Sequence, residues 1–369
     1  MKILHIMPGT NLGGTETVGL NFMRSLQERG HQVRLVSLNP IGELGPLLAE
    51  RHIQAEGLPY RGTFGWRSMG LMYRAFRSDP AEAVMMTGNN LAAMLALGNY
   101  CRGRRLLCFH YHHGGRPERQ WRATYRVALR QFPAVTYACD LIRKEAEKIY
   151  PPIASISHTV RNPILVPDLP SEEERGAARA RLALPQSAKI VGIASRLAEG
   201  KRIDVFLDVA CEVLAAVPGA FFVIAGDGPL RSKFEEQARA LQIANRVLWL
   251  GWQRDLRPFY SSLDVLHFNS DGEVLPLTPL EALAHGVPAV ASVLHSGLAE
   301  VVDRDQHIFL TETHDTNWLA EKIVFILNHP EASRRMALAG RKHLAHVCSP
   351  KKSVDTISRL LRLDGEISS

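Results

Sequence analysis

The stretch SDGEVLPLTPLEALAHGVP, residues Ser270 to Pro288, holds two carboxylates, Glu273 and Glu281, with seven residues between them. Proline favours the first turn of a helix, so a helix starting near Pro276 puts Glu281 within its first two turns. Glu273 then lies in the loop ahead of that helix, beside its positive end. A carboxylate held on such a helix can accept hydrogen bonds from two vicinal hydroxyls, as ribose-binding acids do. Glu273 suits a sugar hydroxyl or a developing positive charge, and it also suits a simple helix N-cap.

Upstream, RLAEGK follows the apolar run KIVGIAS, so Arg196 and Lys201 extend from the end of a strand. Arginine offers a planar fork and lysine a mobile point charge; the two can grip a diphosphate and stabilise a leaving group, or stand as solvated loop cations. Near the start, PGTNLGGTE brings Gly13 and Gly14 to a strand–helix junction, where a missing Cβ lets backbone amides approach an anion. The same pair also reads as a tight turn. It is neither GxGxxG nor Walker A, which argues against an NAD-dependent dehydrogenase and a P-loop NTPase.

These positions need strands and helices behind them, and the chain alternates the two. KILHIM, the glycine turn, the amphipathic TVGLNFMRSLQERG and QVRLVSL make a βαβ unit, with further strands expected at Ala83–Thr87, Arg105–His110 and Val135–Ala138. A second series restarts with KIVGIAS, the helix IDVFLDVACEVLAAV, AFFVIAG and RVLWLG. The expected class is therefore α/β, with two tandem Rossmann-like domains facing a central cleft. Residues 1–165 form the N-terminal domain, 166–186 a proline- and charge-rich linker and 187–348 the C-terminal domain. Residues 349–369 are an amphipathic helix and polar tail suited to packing back on the first domain.

At 369 residues the chain is long enough for two such cores, and 46% hydrophobic against 22% charged residues excludes wholesale disorder. No apolar run reaches the roughly 18 residues of a spanning helix, and MKILHIMPG has no cleavage site, so a cytoplasmic location is expected. The five cysteines, Cys101, Cys108, Cys139, Cys211 and Cys348, show no CxxC or zinc spacing and read as reduced thiols.

Of the net charge of +7, residues 1–170 carry 21 Lys and Arg against 12 Asp and Glu, so the surplus sits in the first half. RPERQWRATYRVALRQF puts Arg119, Arg122, Arg126 and Arg130 on one helical face, beside Trp121, Tyr125 and Leu129. Such a stripe suits an anionic membrane surface or a lipid-phosphate acceptor. It equally fits a solvated charged face over a buried apolar one. No recognition motif accompanies the charge, so nucleic acid is not expected.

Taken together, GGTE, SRLAEGK, AGDGPL and SDGEVLPLTPLEALAHGVPAVAS resemble the retaining glycosyltransferases of family 4, which have the GT-B fold. The likeness is ordered and runs from Met1 to about Leu363. It implies that Arg196 and Lys201 bind the donor diphosphate and that Glu281 takes the nucleotide ribose. Glu273 would lie near the donor sugar, Gly14 would meet phosphate or acceptor, and Leu277 and Thr278 fall among the donor-binding positions. The family's strand-end histidine matches His110 in LLCFH, with His112 second in HYHHGG.

The resemblance further implies transfer of a sugar from a nucleotide-diphosphate donor to a cell-envelope, glycolipid or polysaccharide acceptor. No metal or other cofactor is implied, and the enzyme would be cytoplasmic or peripheral on the inner membrane face. A nucleotide-sugar-binding protein without turnover and a nucleotide-sugar epimerase are the alternatives. Two departures limit the transfer of donor preference: Val274 stands where many relatives carry glycine, and Ser296-Gly297 replaces a common glycine pair.

Overall fold

The structure is a computed structural model that describes residues 1–11, 13–59, 66–109 and 117–363. The chain forms two compact units, one of Met1–Pro163 plus the segment from Cys348 onward, the other of Ile164–Val347.

The first unit is built on seven parallel strands: β1 (Lys2–Met7), β2 (Gln32–Ser37), β3 (Gln54–Gly57), β4 (Ala83–Thr87), β5 (Arg105–Phe109), β6 (Ala134–Tyr137) and β7 (Ser157–Thr159). Their order is β3-β2-β1-β4-β5-β6-β7. Every residue of β4, AVMMT, is buried, as a central parallel strand covered on both faces requires. The helix Gly14–Gln27 follows β1 and starts at Gly14, three residues before the apolar run suggests, with Gly13 as its N-cap.

The helix Pro350–Leu361 is part of this unit and buries Val354, Ile357 and Leu361. Arg29, just beyond the first helix, donates to the Lys351 carbonyl and to Ser358 Oγ and forms an ion pair with Asp355. Ser353 Oγ donates to the Arg161 carbonyl at 2.8 Å.

Part of the unit's positive charge is structural. Arg34 is buried and donates to the carbonyls of Ala75 and Phe76, near the end of the helix Trp66–Arg77. Arg105 is buried against the carbonyls of Gly98 and Tyr100, and burial lowers its pKa to about 10. Neither is available to an anionic partner.

The basic stripe also divides. In the helix Glu118–Gln131, Arg119, Arg122, Arg126 and Arg130 are all exposed. Trp121 and Tyr125 are 3% and 0% exposed and stack on each other with ring centroids 5.9 Å apart. The aromatic half of the pattern is core, so it offers nothing to insert into a membrane; only the arginine face reaches solvent.

The second unit has six parallel strands: β8 (Lys189–Ala194), β9 (Ala220–Ala225), β10 (Val247–Gly251), β11 (Val265–Ser270), β12 (Ala289–Val293) and β13 (Phe309–Thr311). Their order is β10-β9-β8-β11-β12-β13.

Residues 166–186, expected as a linker, belong to this unit and contain the helix Glu172–Arg181. A capping box starts it: Ser171 Oγ accepts from the Glu174 amide at 3.1 Å, and the Glu174 carboxylate accepts from the Ser171 amide at 2.7 Å. The buried Arg179 anchors it, donating to the Ser262 and Gln186 carbonyls and to Asp264 at 2.9 Å. Asp264 also accepts from the Ile190 amide at 2.7 Å, tying the helix to β8.

Replacing Arg179 by Ala would leave Asp264 short of its closest cation, and urea unfolding should show a loss of roughly 3 kcal/mol. Glu172→Ala removes a loose pair at 3.9 Å whose carboxylate is 85% exposed, and should change stability by less than about 0.5 kcal/mol. Equal effects in the two variants would mean that Arg179 does not anchor this segment.

Candidate functional site

In open parallel sheets ligands bind outside the carboxyl ends of the strands where the order reverses, because the two adjacent loops there run apart. In the second sheet that point lies between β8 and β11. The loop after β8 carries Arg196 and Lys201; the loop after β11 carries Asp271 and Glu273.

The β8 loop is fixed from one side by the turn AGDGP after β9. The Ser195 and Leu197 amides donate to the Ala225 and Asp227 carbonyls, each at 3.0 Å, and the Leu230 amide returns to the Leu197 carbonyl at 3.0 Å. Backbone meets backbone so closely that a Cβ on Gly226, which has φ +140°, would lie 1.9 Å from the Ser195 oxygen. A Cβ on Gly228 would lie 2.4 Å from the Leu197 oxygen. Only glycine fits at either position.

From the other side the β11 loop is stitched on. The Gly200 carbonyl accepts from the Asp271 amide at 2.9 Å and from Ser270 Oγ at 3.2 Å. Arg202 spans Asp204 at 3.0 Å and Asp271 at 3.4 Å. His314 Nε2 lies 3.0 Å from Asp271 Oδ1, and its Nδ1 meets Ser292 Oγ. Lys201 Nζ forms an ion pair with the Glu273 carboxylate. The SGL loop joins the same frame: the Glu273 amide donates to the His295 carbonyl, and the Gly297 amide to the Val274 carbonyl, both at 2.9 Å.

The helix expected near Pro276 runs Leu277–Ala284, with Pro276 at its N-cap and no side-chain cap. Glu273 is therefore not the cap; its partner is Lys201. Thr278 Oγ1 donates to the Ala194 carbonyl at 3.2 Å, fixing the first turn against the end of β8, while Leu277 beside it is half-buried. Glu281 faces a different setting. Tyr260, itself buried, donates its hydroxyl to Glu281 Oε2 at 2.7 Å and stacks on His285 at 4.8 Å. Burial raises the Glu281 pKa, and the Tyr260 hydrogen bond opposes the rise. The second carboxylate oxygen has no hydrogen-bond partner among the described residues.

The structure thus brings Arg196, Lys201, Glu273, Leu277, Thr278 and Glu281 to one end of one sheet. Arg196 is exposed and, among the described residues, has no ion pair or side-chain hydrogen bond. Gly14 is the first residue of a helix in the first unit. His110 and His112 lie outside the described residues. Tyr260, Asp271, Arg202 and His314 complete the frame without having been singled out by sequence; Asp271 and Arg202 are direct neighbours of Gly272-Glu273 and Lys201, which is the one signal that pointed to them. Among the described residues no group of three His, Cys, Asp or Glu side chains is placed to hold a metal.

Residues 12–164 match the family model Glycosyltransferase Family 4, and residues 174–343 match Glycosyl transferases group 1. The chain is 29% identical over 183 residues to the lipopolysaccharide core biosynthesis glycosyltransferase LpsE of Rhizobium meliloti, covering 50% of this chain but only about half, 52%, of that one. It is 22% identical over 346 residues to the N-acetyl-alpha-D-glucosaminyl L-malate synthase of Bacillus anthracis, covering 90% and 89%. In structure it superposes on Anabaena HepE, crystallised with UDP and glucose, with a TM-score of 0.85 at 18% identity over 98% of this chain and 100% of that one. With two Rossmann-like units and a domain model matched on each, the chain belongs to the GT-B glycosyltransferases.

Proposed function

We propose that the protein is a retaining, metal-independent glycosyltransferase that moves a sugar from a nucleotide-diphosphate donor to a glycan or lipid-linked acceptor of the cell envelope. The observation that carries this reading is the Lys201–Glu273 pair at the strand-order reversal of the second unit, with Arg196 on the same loop and Glu281 on the next helix. Support for the donor class comes from HepE, crystallised with UDP and glucose, and for the acceptor class from LpsE, named for lipopolysaccharide core biosynthesis.

In this reading the free oxygen of Glu281 accepts from the ribose hydroxyls, while Tyr260 holds the other oxygen and so sets the carboxylate's plane. Arg196 and Lys201 take the diphosphate. Lys201 leaves Glu273 for the phosphates or bridges the two, and Glu273 turns to the donor sugar. The acceptor hydroxyl attacks the anomeric carbon from the face the phosphate leaves. The new carbon–oxygen bond forms as the bond to the β-phosphate breaks, the hydroxyl proton passes to the departing phosphate oxygen, and the two cations stabilise its charge. His110, with His112 second, is the proposed histidine near the reacting centre. The exposed face of Arg119, Arg122, Arg126 and Arg130 is proposed to hold an anionic membrane surface by charge alone.

Lys201→Ala should lower transfer by roughly 100-fold or more with an unchanged circular-dichroism spectrum and melting temperature. Turnover near that of the native protein would remove the phosphate assignment.

Glu281 gives a second test with opposite signs for binding and stability. Its folded pKa is raised, so ionising it costs the native state stability as the pH climbs from the unfolded value of about 4.3 through the folded one. Glu281→Gln should therefore melt higher than the native protein at pH 8, with the gap shrinking toward pH 4, and should lose UDP-dependent thermal stabilisation. A variant that still responds to UDP as the native protein does would sink the ribose role.

For the arginine face, replacing all four residues by Glu should abolish flotation with vesicles containing anionic phosphatidylglycerol at low salt. Flotation unchanged by the substitutions would return this face to plain solvation.

A further inference from the structure

Lys201 lies between two residues in the left-handed backbone region, Gly200 at φ +77° and Arg202 at φ +50°. Glycine adopts that region without a Cβ clash, whereas another L-residue there costs roughly 1–2 kcal/mol. Such a conformation persists where the surroundings over-determine it. The direction of the Lys201 main chain therefore depends on what holds Arg202.

Arg202 stands just ahead of the helix Ile203–Ala216 and is held at three points. Its guanidinium meets Asp204 at 3.0 Å and Asp271 Oδ1 at 3.4 Å, and its carbonyl accepts from Nδ2 of the fully buried Asn269 at 3.4 Å. Of the two carboxylates, Asp204 is only two residues away, so Asp271 is the one that ties the guanidinium to the loop after β11. The Asp271 side chain is 45% exposed. An acid so open to water keeps one rotamer only at an entropic cost, and a second partner offsets that cost.

His314, just beyond β13, is that partner. Its Nε2 lies 3.0 Å from the same Asp271 oxygen, and since a carboxylate only accepts, Nε2 carries a proton. Its Nδ1 meets Ser292 Oγ, which is fully buried on β12 and lies 2.7 Å from the Thr313 carbonyl. With both ring nitrogens engaged, the ring cannot turn without breaking two contacts. Serine, histidine and aspartate in line also form hydrolytic triads, but there the serine meets Nε2; here the aspartate does, and the serine is out of reach of any substrate. The set is a brace and not a nucleophile.

We propose that His314 is a positioning residue of the donor site. It holds Asp271 where Arg202 meets it, Arg202 keeps its left-handed turn, and the turn directs Lys201 toward the diphosphate. The inference rests on the donor-site reading given above and deepens it: the residue that sets the phosphate grip stands 113 residues beyond the lysine that makes it.

The test measures, by calorimetric competition, the affinity of the full chain for UDP, GDP and ADP, and then for the nucleoside of whichever binds most tightly. His314→Leu should weaken the nucleoside diphosphate roughly tenfold and leave the nucleoside, which has no phosphates, unchanged. His314→Gln, which keeps a donor where Nε2 stands, should restore most of the loss. Asp271→Ala breaks the same brace at an exposed side chain and should reproduce it, so the test stands even if the leucine variant misfolds. In a Lys201→Ala background His314→Leu should add little further loss, because the histidine acts through the lysine. No diphosphate binding by the native protein, or full binding by Lys201→Ala, would overturn the donor-site reading and this role with it. Lys201→Ala losing affinity while His314→Leu and Asp271→Ala bind as the native protein does would overturn the positioning role alone. Equal losses for nucleotide and nucleoside, no rescue by glutamine, or additive losses in the double variant would also overturn it.

Discussion

A single backbone carbonyl, that of Gly200, holds the candidate donor site together. It accepts from both the amide and the side chain of consecutive residues in the loop after β11, so two loops that the reversed strand order would send apart are joined at their tips. Once they are joined, the ion pair of Lys201 with Glu273 and the bridge of Arg202 to Asp271 follow from short reach. The glycine turn after β9 supports the same loop from behind, and at Gly226 it leaves no room for even a methyl group. The site is therefore defined by main-chain contacts first and by side chains second.

The two acids that share one short stretch of sequence end in opposite electrostatic conditions. Glu273 is compensated by a cation on a mobile side chain, which a phosphate can draw away. Glu281 is half-buried, with one carboxylate oxygen held by the Tyr260 phenol and, among the described residues, no cation in an ion pair with it. In the proposed donor-bound state one acid loses a partner and the other gains some. The raised pKa means that ionising Glu281 is opposed by the fold, a trade often made at binding sites.

Much of this was legible in residue order, because parallel α/β folds write strand, turn and helix one after another and place chemistry at strand ends. Arg196, Lys201, Glu273 and Glu281 could be picked out by type and position. Their partners could not: Lys201 and Glu273 are 72 residues apart, His314 and Asp271 43, and neither register nor loop closure shows in local pattern. The arginine stripe was readable, but which neighbouring face was core depended on tertiary packing that put Trp121 and Tyr125 inside. Residues 166–186 looked like a linker through their prolines and charges, although Ser171 and Glu174 already spelled a capping box.

The return of the chain to its first unit has a consequence for biosynthesis. The whole of Ile164–Val347 is made between the first unit's main body and its closing helix. At 5–20 residues per second that interval is roughly 10 to 40 s, during which the second unit has time to fold while the surface awaiting Val354, Ile357 and Leu361 stands uncovered. The part synthesised first is thus completed last, and a nascent chain passes through a stage in which this apolar surface is open to chaperones.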